Sequence, residues 1–316
     1  MTHVITVPPS LDEQSFEQVV EQLAAIPEDA KLLVDARHAR WASPYGLTAL
    51  LCVAQSRSER PGFTVPEHPD TQSYWARTGF FRYAAELYDI VGNVPRSREA
   101  HERDVLLEIT PITKTDDVHG VVGRIHQKAA DILHGQLNLD TVATGAFGLT
   151  LSEACQNIVE HAEFGGWVAV QTYNYQRRLG RRVVVIAVCD AGIGFRRSLE
   201  SSPAHRTSDR WDDAMALEDA VLRAVSRHRF RDSGRGQGIA GIRRFIGRWQ
   251  GKLTVRSGTA RIAIIPDWDE DTPRQDSLPW FPGAQMQVIV PERLESDRPE
   301  TSRSDRSHAE GRRTRS

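Results

Sequence analysis

Apolar and polar residues follow two different periods along the first third of the chain. Three short apolar runs predict buried strands, namely "HVITV", "KLLVDA" and "GFTV". Three longer segments repeat their apolar residues every three or four positions, which predicts helices: "LDEQSFEQVVEQLAAI", "YGLTALLCVAQSR" and "TQSYWARTGFFRYA". Because the strands and helices alternate, we expect a small α/β domain with helices packed against a sheet.

The rest of the chain predicts a second α/β domain and a polar tail. Strands are predicted at "VLLEI" and "MQVIVP", and a hairpin at "GKLTVRSGTARIAIIP". The run Val183 to Cys189 is apolar at every position, which indicates a strand covered on both faces. We therefore divide the chain into a domain at 1–98, a connector with one strand at 99–118, a second domain at 119–291 and a disordered tail at 292–316, which has no aromatic residue.

Composition narrows the classes of partner. Charged residues make up 26% of the 316 residues, yet the formal net charge is −2, which argues against binding to nucleic acid or to an anionic membrane. Cys52, Cys155 and Cys189 lie far apart in apolar runs, as buried thiols of a reducing compartment do. The N-terminus has no signal-peptide pattern and no apolar run approaches the ~20 residues of a membrane helix, so we expect a cytoplasmic protein.

A row of polar residues marks the predicted helix "LSEACQNIVEHA". Glu153, Asn157 and His161 are spaced four apart, so they lie along one side of the helix. Apolar residues on the opposite side would anchor the helix in a core. An ordinary solvated helix face has the same pattern, so a chemical role for the row depends on the other motifs.

The second motif follows the apolar run, in "VVVIAVCDAGIGF". Asp190 stands where the predicted strand ends, and a partly desolvated carboxylate there needs a hydrogen-bond donor, such as the exocyclic amine of adenine. Gly192 and Gly194 would let the backbone approach a flat base closely. A simple Asp-Gly turn at the end of a strand is the alternative.

The third motif is "DSGRGQGIAGIRRFIGRW", in which three glycines precede an amphipathic helix: Gly234, Gly236 and Gly238. Free backbone N–H groups and the positive end of a helix dipole bind phosphate. The substring "GQGIAG" also satisfies a dinucleotide fingerprint, but no strand precedes it and Arg261 stands where an acidic residue is needed, so we exclude that interpretation. A flexible loop without a ligand remains open.

In this order, the three motifs closely resemble the N, G1 and G2 boxes of the GHKL ATP-binding superfamily, over about Thr113 to Pro291. The resemblance implies a GHKL (Bergerat) α/β sandwich, with helices on one face of a mixed, mostly antiparallel sheet. It also implies ATP between the helices, with 195–233 as a mobile lid.

The same resemblance implies roles for single residues. Asn157 would bind the Mg²⁺ that bridges the phosphates, and Glu153 would be the general base for the attacking water or hydroxyl. Asp190 would read the adenine amine. The remaining cofactor-binding residues are glycines, with Gly192 and Gly194 beside the base and Gly234, Gly236 and Gly238 at the phosphates. His161 would either face the phosphates or serve in packing.

The first domain resembles a STAS domain, the fold of anti-sigma-factor antagonists, over roughly Val4 to Ala84. The stretches "LLVDARHARWASPYGLTALL" and "YWARTGFF" carry the resemblance. In that family an acidic residue and a phosphorylatable hydroxyl precede the glycine. Here the loop is Ser43-Pro44-Tyr45-Gly46, without the acid, so its phosphorylation stays open.

Within the superfamily the "SEACQNIVEHA" helix most resembles the anti-sigma-factor serine kinases. The resemblance implies a regulatory Mg-ATP-dependent ATPase or protein serine/threonine kinase in partner-switching signalling. Its ligands would be ATP and Mg²⁺, its partner a protein of the STAS or sigma/anti-sigma type, and a homodimer is compatible with it. The alternative is a catalytically silent, nucleotide-gated switch that binds proteins. A nucleic-acid clamp is disfavoured by the near-neutral charge, and no membrane partner is expected.

Overall fold

The computed structural model describes residues 1–95, 105–113, 165–175, 179–200, 211–223 and 238–294, together with six helical residues between 144 and 156. The described chain is a mixed α/β protein with one parallel and one antiparallel main sheet.

The first domain is built on a parallel four-stranded sheet in the order β1-β3-β5-β6. Its strands are β1 (His3–Thr6), β2 (Ser10–Leu11), β3 (Leu32–Asp35), β4 (Trp41–Ala42), β5 (Gly62–Thr64) and β6 (Asp89–Val91), of which β2 and β4 form a separate parallel pair. Its helices are α1 (Phe16–Ala24), α2 (Pro44–Gln55), α3 (Pro69–Arg77) and α4 (Phe80–Leu87).

The three predicted strands and the first two predicted helices of this domain are confirmed. The third predicted helix is instead two helices, because Gly79 between α3 and α4 takes a left-handed conformation with φ of 81°. A left-handed residue ends a helix, and glycine adopts that conformation without steric cost. Strand β6 was not predicted, since it is an edge strand in which Asp89 and Val91 are exposed and no buried apolar run marks it.

The second domain is built on a seven-stranded sheet in the order β12-β11-β10-β13-β9-β8-β7. Its strands are β7 (Val105–Ile112), β8 (Gly166–Asn174), β9 (Arg182–Asp190), β10 (Lys252–Gly258), β11 (Ala260–Ile264), β12 (Arg274–Gln275) and β13 (Phe281–Pro291), and its helices with described bounds are α5 (Gly194–Glu200), α6 (Asp213–Val221) and α7 (Gly238–Arg248).

The pairing of this sheet differs from the expected mixed arrangement, since every strand pair that the described residues form in it is antiparallel. The predicted connector strand is β7, which joins this sheet at its edge by pairing with β8. The predicted hairpin is β10 and β11. The last predicted strand is β13, which lies between β9 and β10 in the sheet.

Both faces of β9 are covered, as its continuous apolar run predicted. Ile186 and Val188 pack in the core that α6 and α7 form on one face of the sheet. On the other face, Ala187 and Cys189 share a core with the first domain, where α2 lies against β8 and β9. Alternation along a strand sends successive side chains to opposite faces. The result is three layers, with helices, the antiparallel sheet and the first domain in that order.

Polar contacts reinforce this packing of the first domain on the sheet. The indole N–H of Trp167 donates to the side-chain oxygen of Gln55 at 2.8 Å, and the hydroxyl of Tyr74 lies 2.7 Å from that of Tyr173. The backbone N–H of Ile109 donates to the carbonyl of Thr78 at 2.8 Å. The first domain is therefore bound to β7 and β8 as well as to the centre of the sheet.

The three cysteines are free and buried, as predicted. Burial raises the pKa of the Cys155 and Cys189 thiols to about 12, and also raises the pKa of Cys52. The thiols are consequently protonated at neutral pH. None of the helices in the described part of the chain has the length and apolar character that a membrane span requires.

Candidate functional site

The candidate site is centred on Asp190, the last residue of β9. Alternation along β9 places its side chain on the same face as Val188, the face that carries the helices. Asp190 is only 7% exposed, although the chain turns away from the sheet directly after it. The strand thus places a carboxylate at its C-terminal end, where neighbouring residues exclude water from it.

The charge state of Asp190 is perturbed by this position. Burial raises the pKa of its carboxyl to about 7, against the opposing effect of hydrogen bonds from the backbone N–H groups of Gly192 and Ala284. The N–H of Gly192 donates to Oδ1 at 2.8 Å. At neutral pH the group is therefore close to its midpoint, and a ligand that donates a hydrogen bond to the carboxylate stabilises its charged form.

Two glycines allow the backbone to close around this carboxyl. Gly194 and Gly283 both have left-handed conformations, with φ of 72° and 74°. A Cβ on Gly283 would lie 2.2 Å from the carbonyl oxygen of Asp190 and 2.5 Å from its Oδ1. A Cβ on Gly194 would lie 2.8 Å from the hydroxyl of Ser257. No other residue type fits at these positions without moving the carboxyl or its loop.

Two polar residues that the sequence reasoning missed hold the loop in place. The hydroxyl of Ser257 donates to the carbonyl of Gly283 at 2.8 Å and accepts from the backbone N–H of Phe195 at 3.1 Å. The side-chain amide of Gln285 donates to the carbonyls of Asp190 and Pro282, both at 2.8 Å. Neither residue belongs to a glycine or acidic motif, so no motif in the sequence marks either one.

The other predicted site residues are only partly within the described structure. Glu153, Asn157, Gly234 and Gly236 lie outside the described residues, as does His161. Gly238 is the first residue of α7, where the third motif predicted a helix to begin. Cys155 and Gln156 are helical, in agreement with the predicted helix, and Cys155 is fully buried. Among the described residues the structure thus brings together Asp190, Gly192 and Gly194, with Gly283 added.

The predicted lid differs from the structure in its described parts. Residues 194–200 and 213–221 are the helices α5 and α6. Leu199, Leu217 and Val221 are buried, and α6 packs against β10 and β11. Because these side chains belong to the core, α5 and α6 are part of the folded scaffold, and a lid could include only other residues of 195–233.

A cavity of about 540 Å³ lies elsewhere, at the opposite end of the sheet. Arg181, Trp249 and Pro291 are among the residues that line it. Pro291 pairs with Val183 at the start of β9, whereas Asp190 ends that strand, so the cavity is separate from the candidate site. No group of three or more His, Cys, Asp or Glu side chains that could hold a metal ion occurs in the described ranges.

The loop Ser43-Pro44-Tyr45-Gly46, which carries the resemblance to a STAS domain, has a structural role at the start of α2. Ser43 is the N-cap of α2, and its hydroxyl accepts a hydrogen bond from the N–H of Gly46 at 3.1 Å. Ser43 is 3% exposed and Tyr45 is fully buried. A kinase therefore cannot reach either hydroxyl while the two domains are packed together.

No family model, no curated protein and no solved structure matches this chain. The similarity to the GHKL and STAS families therefore rests on the motifs alone.

Proposed function

We propose that this chain is a regulatory ATP-binding protein of the GHKL type, acting as a Mg-ATP-dependent ATPase or protein serine/threonine kinase in partner-switching signalling. The observation that carries the proposal is the buried carboxyl of Asp190, which accepts a hydrogen bond from the backbone N–H of Gly192 and which Gly283 approaches so closely that a Cβ there would clash with it. A buried hydrogen-bond acceptor flanked by glycines suits the exocyclic amine of a flat purine.

The local geometry fits an adenine amine better than a carbonyl group. The N–H groups of Gly192 and Ala284 already donate to the carboxyl, so what it offers to a ligand is acceptor capacity. A ligand donor there would repay the desolvation that raises the pKa of Asp190. Guanine carries a carbonyl oxygen where adenine carries its amine, so the site should discriminate against guanine nucleotides.

Binding of the nucleotide phosphates depends on residues that lie outside the described ranges. Asn157 would supply a side-chain oxygen to Mg²⁺, and Glu153 would take the proton of the attacking water or hydroxyl. Bound Mg²⁺ would offset the charge of the phosphates. The start of α7 at Gly238 is compatible with phosphate binding at a helix N-terminus.

The burial of Ser43 bears on the phospho-acceptor of a kinase. Since Ser43 caps α2 and is buried, the STAS-like domain of the same chain is a poor acceptor. The acceptor of a kinase would accordingly be a hydroxyl on a separate protein, and the STAS-like family is the class that the resemblance implies.

Calorimetry with ATP and with GTP at millimolar Mg²⁺ tests the nucleotide site. We expect heat with ATP, a weaker signal with GTP, and loss of ATP binding in Asp190→Ala. Asp89→Ala is the matched control, because the Asp89 side chain is 74% exposed and lies on the edge strand of the first domain. Absence of heat with ATP in the intact chain refutes the proposal.

Incubation with Mg²⁺ and γ-labelled ATP, alone and with cell extract, then separates the activities. Label on a protein supports a kinase, and free phosphate that is lost in Glu153→Gln supports an ATPase. Binding without turnover supports the nucleotide-gated switch instead.

A further inference from the structure

The second domain sends three cationic side chains into the layer between the domains. Lys252, Arg256 and Arg261 are at most 2% exposed and extend from β10 and β11. A buried cation is costly unless it is paired and hydrogen-bonded. Two of these cations find partners on the first domain, Lys252 in Glu13 and Arg256 in Glu17.

The Arg256 pair is the more complete of the two. The Nε and one terminal nitrogen of Arg256 donate to the two carboxylate oxygens of Glu17 at 2.8 and 3.1 Å, a bidentate arrangement. The guanidinium also donates to the backbone carbonyls of Gly258 at 3.0 Å and Pro279 at 2.6 Å. Four of the five N–H groups of Arg256 therefore donate hydrogen bonds, two to Glu17 of the first domain and two to backbone carbonyls of the second.

The two carbonyls that Arg256 holds belong to the segments that build the candidate site. Gly258 follows Ser257 at the bulge that ends β10, and Pro279 leads into β13 two residues before Phe281. The Phe281 ring lies 5.7 Å from the guanidinium and makes an edge contact with Phe16 at 5.3 Å. One side chain therefore ties the end of β10 and the start of β13 to α1.

A further series of contacts connects the end of β10 to the Asp190 carboxyl. Ser257 bonds the carbonyl of Gly283 and the N–H of Phe195, as described above. Gly283 in turn packs closely on Asp190, since a Cβ at position 283 would lie 2.2 Å from the carbonyl oxygen of Asp190. A shift of the bulge at Ser257 would hence displace both the loop after Asp190 and the strand beside it.

We propose that Glu17 of the first domain is a positioning residue for the nucleotide site, acting through Arg256 and Ser257. This inference rests on the proposed function for its consequence, but its structural part can be tested without nucleotide. If this is so, the STAS-like domain packs rigidly behind the sheet of the ATP-binding domain and holds the loop after Asp190 in the conformation that binds nucleotide.

The first test compares Glu17→Gln with two matched variants in the full-length chain. Glu17→Gln leaves Arg256 buried without its counter-charge, and we expect affinity for ATP to fall about tenfold. Glu13→Gln also removes an interdomain ion pair, but Lys252 keeps Asp269 and Asp271, and among the described residues none of its ion pairs involves the candidate site. Glu21→Gln changes an exposed residue of α1. Both controls should bind ATP as the unaltered chain does.

The second test separates positioning from loss of stability and from failure of the proposed function. Titration of the Asp190 carboxyl by ¹³C NMR in the nucleotide-free chain should show its pKa falling toward the ordinary value in Glu17→Gln, because a loosened loop admits water. It should be unchanged in Glu13→Gln. If the unaltered chain does not bind ATP, the proposed function fails while this titration still decides the inference.

Ser257→Ala provides a second route should Glu17→Gln not fold. It leaves the ion pair intact and removes the bonds to Gly283 and Phe195, so it should reproduce both the affinity loss and the pKa change. Equal effects of Glu17→Gln and Glu13→Gln on affinity and titration, or an unperturbed Asp190 in Ser257→Ala, would overturn the inference.

Discussion

Replacing Asp190 by asparagine is the sharpest test of the candidate site, because it removes a buried charge and keeps the side-chain shape. Burial raises the pKa of Asp190 from 3.8 to about 7. Between these values the folded protein holds a proton that the unfolded chain has released, so stability falls as pH rises through this window. Each pKa unit corresponds to about 1.4 kcal/mol, so at pH 8 the ionised carboxyl lowers the free energy of unfolding by about 4 kcal/mol.

Urea denaturation of the nucleotide-free protein at two pH values measures this cost. At pH 8 we expect Asp190→Asn to raise the free energy of unfolding by up to about 4 kcal/mol, and at pH 4 to change it by less than about 1 kcal/mol. Asp89→Asn, at a 74% exposed side chain, should have no such pH-dependent effect. A variant no more stable than the unaltered chain at pH 8 would show that the carboxyl is not buried as described.

The same variant should bind ATP more weakly although it is more stable. The carboxamide oxygen that Asp190→Asn introduces would keep the hydrogen bond from Gly192, which turns the amino group of the new side chain toward the ligand. Two donors would then face each other, and ATP affinity should fall at least about tenfold by calorimetry. Unchanged affinity together with increased stability would remove Asp190 from the site.

Three further substitutions test the scaffold by chemical denaturation. Gly283→Ala should lower the free energy of unfolding by at least about 2 kcal/mol and weaken ATP binding, because the new Cβ meets Asp190. Gly180→Ala is its control: Gly180 has a similar φ of 68° but open space around it, so this variant should lose about 1 kcal/mol and bind ATP normally. Ser43→Ala should cost about 1 kcal/mol through the lost cap of α2, and a cost near zero would contradict the capping role. Lys252→Met should lower the free energy of unfolding by about 3–5 kcal/mol, since it removes a buried cation that pairs with Glu13, Asp269 and Asp271, and a neutral or stabilising effect would show that these ion pairs add nothing.

Local pattern determined most of the elements of this protein. The continuous apolar run before Asp190 predicted a strand covered on both faces, and β9 is such a strand. The glycines of the third motif predicted a helix start, and α7 begins at Gly238. These predictions succeed because periodicity and backbone freedom are properties of neighbouring residues. The break at Gly79 was missed, since apolar residues continue across it in helical spacing.

What covers each face, and which residues hold the candidate site, was decided by tertiary structure alone. The apolar run of β9 predicted that both of its faces are buried, but only the tertiary structure shows that α2 of the first domain covers the second face. Gly283 of β13 reaches Asp190, and Ser257 of β10 reaches the loop after it, although both strands are about 70 to 90 residues away along the chain. Arg256 and Glu17 are farther apart still, and nothing near either one in sequence marks it as paired. The physical reason is that a buried charge needs only a partner close in space, and strand pairing and domain packing, which no local pattern encodes, choose that partner.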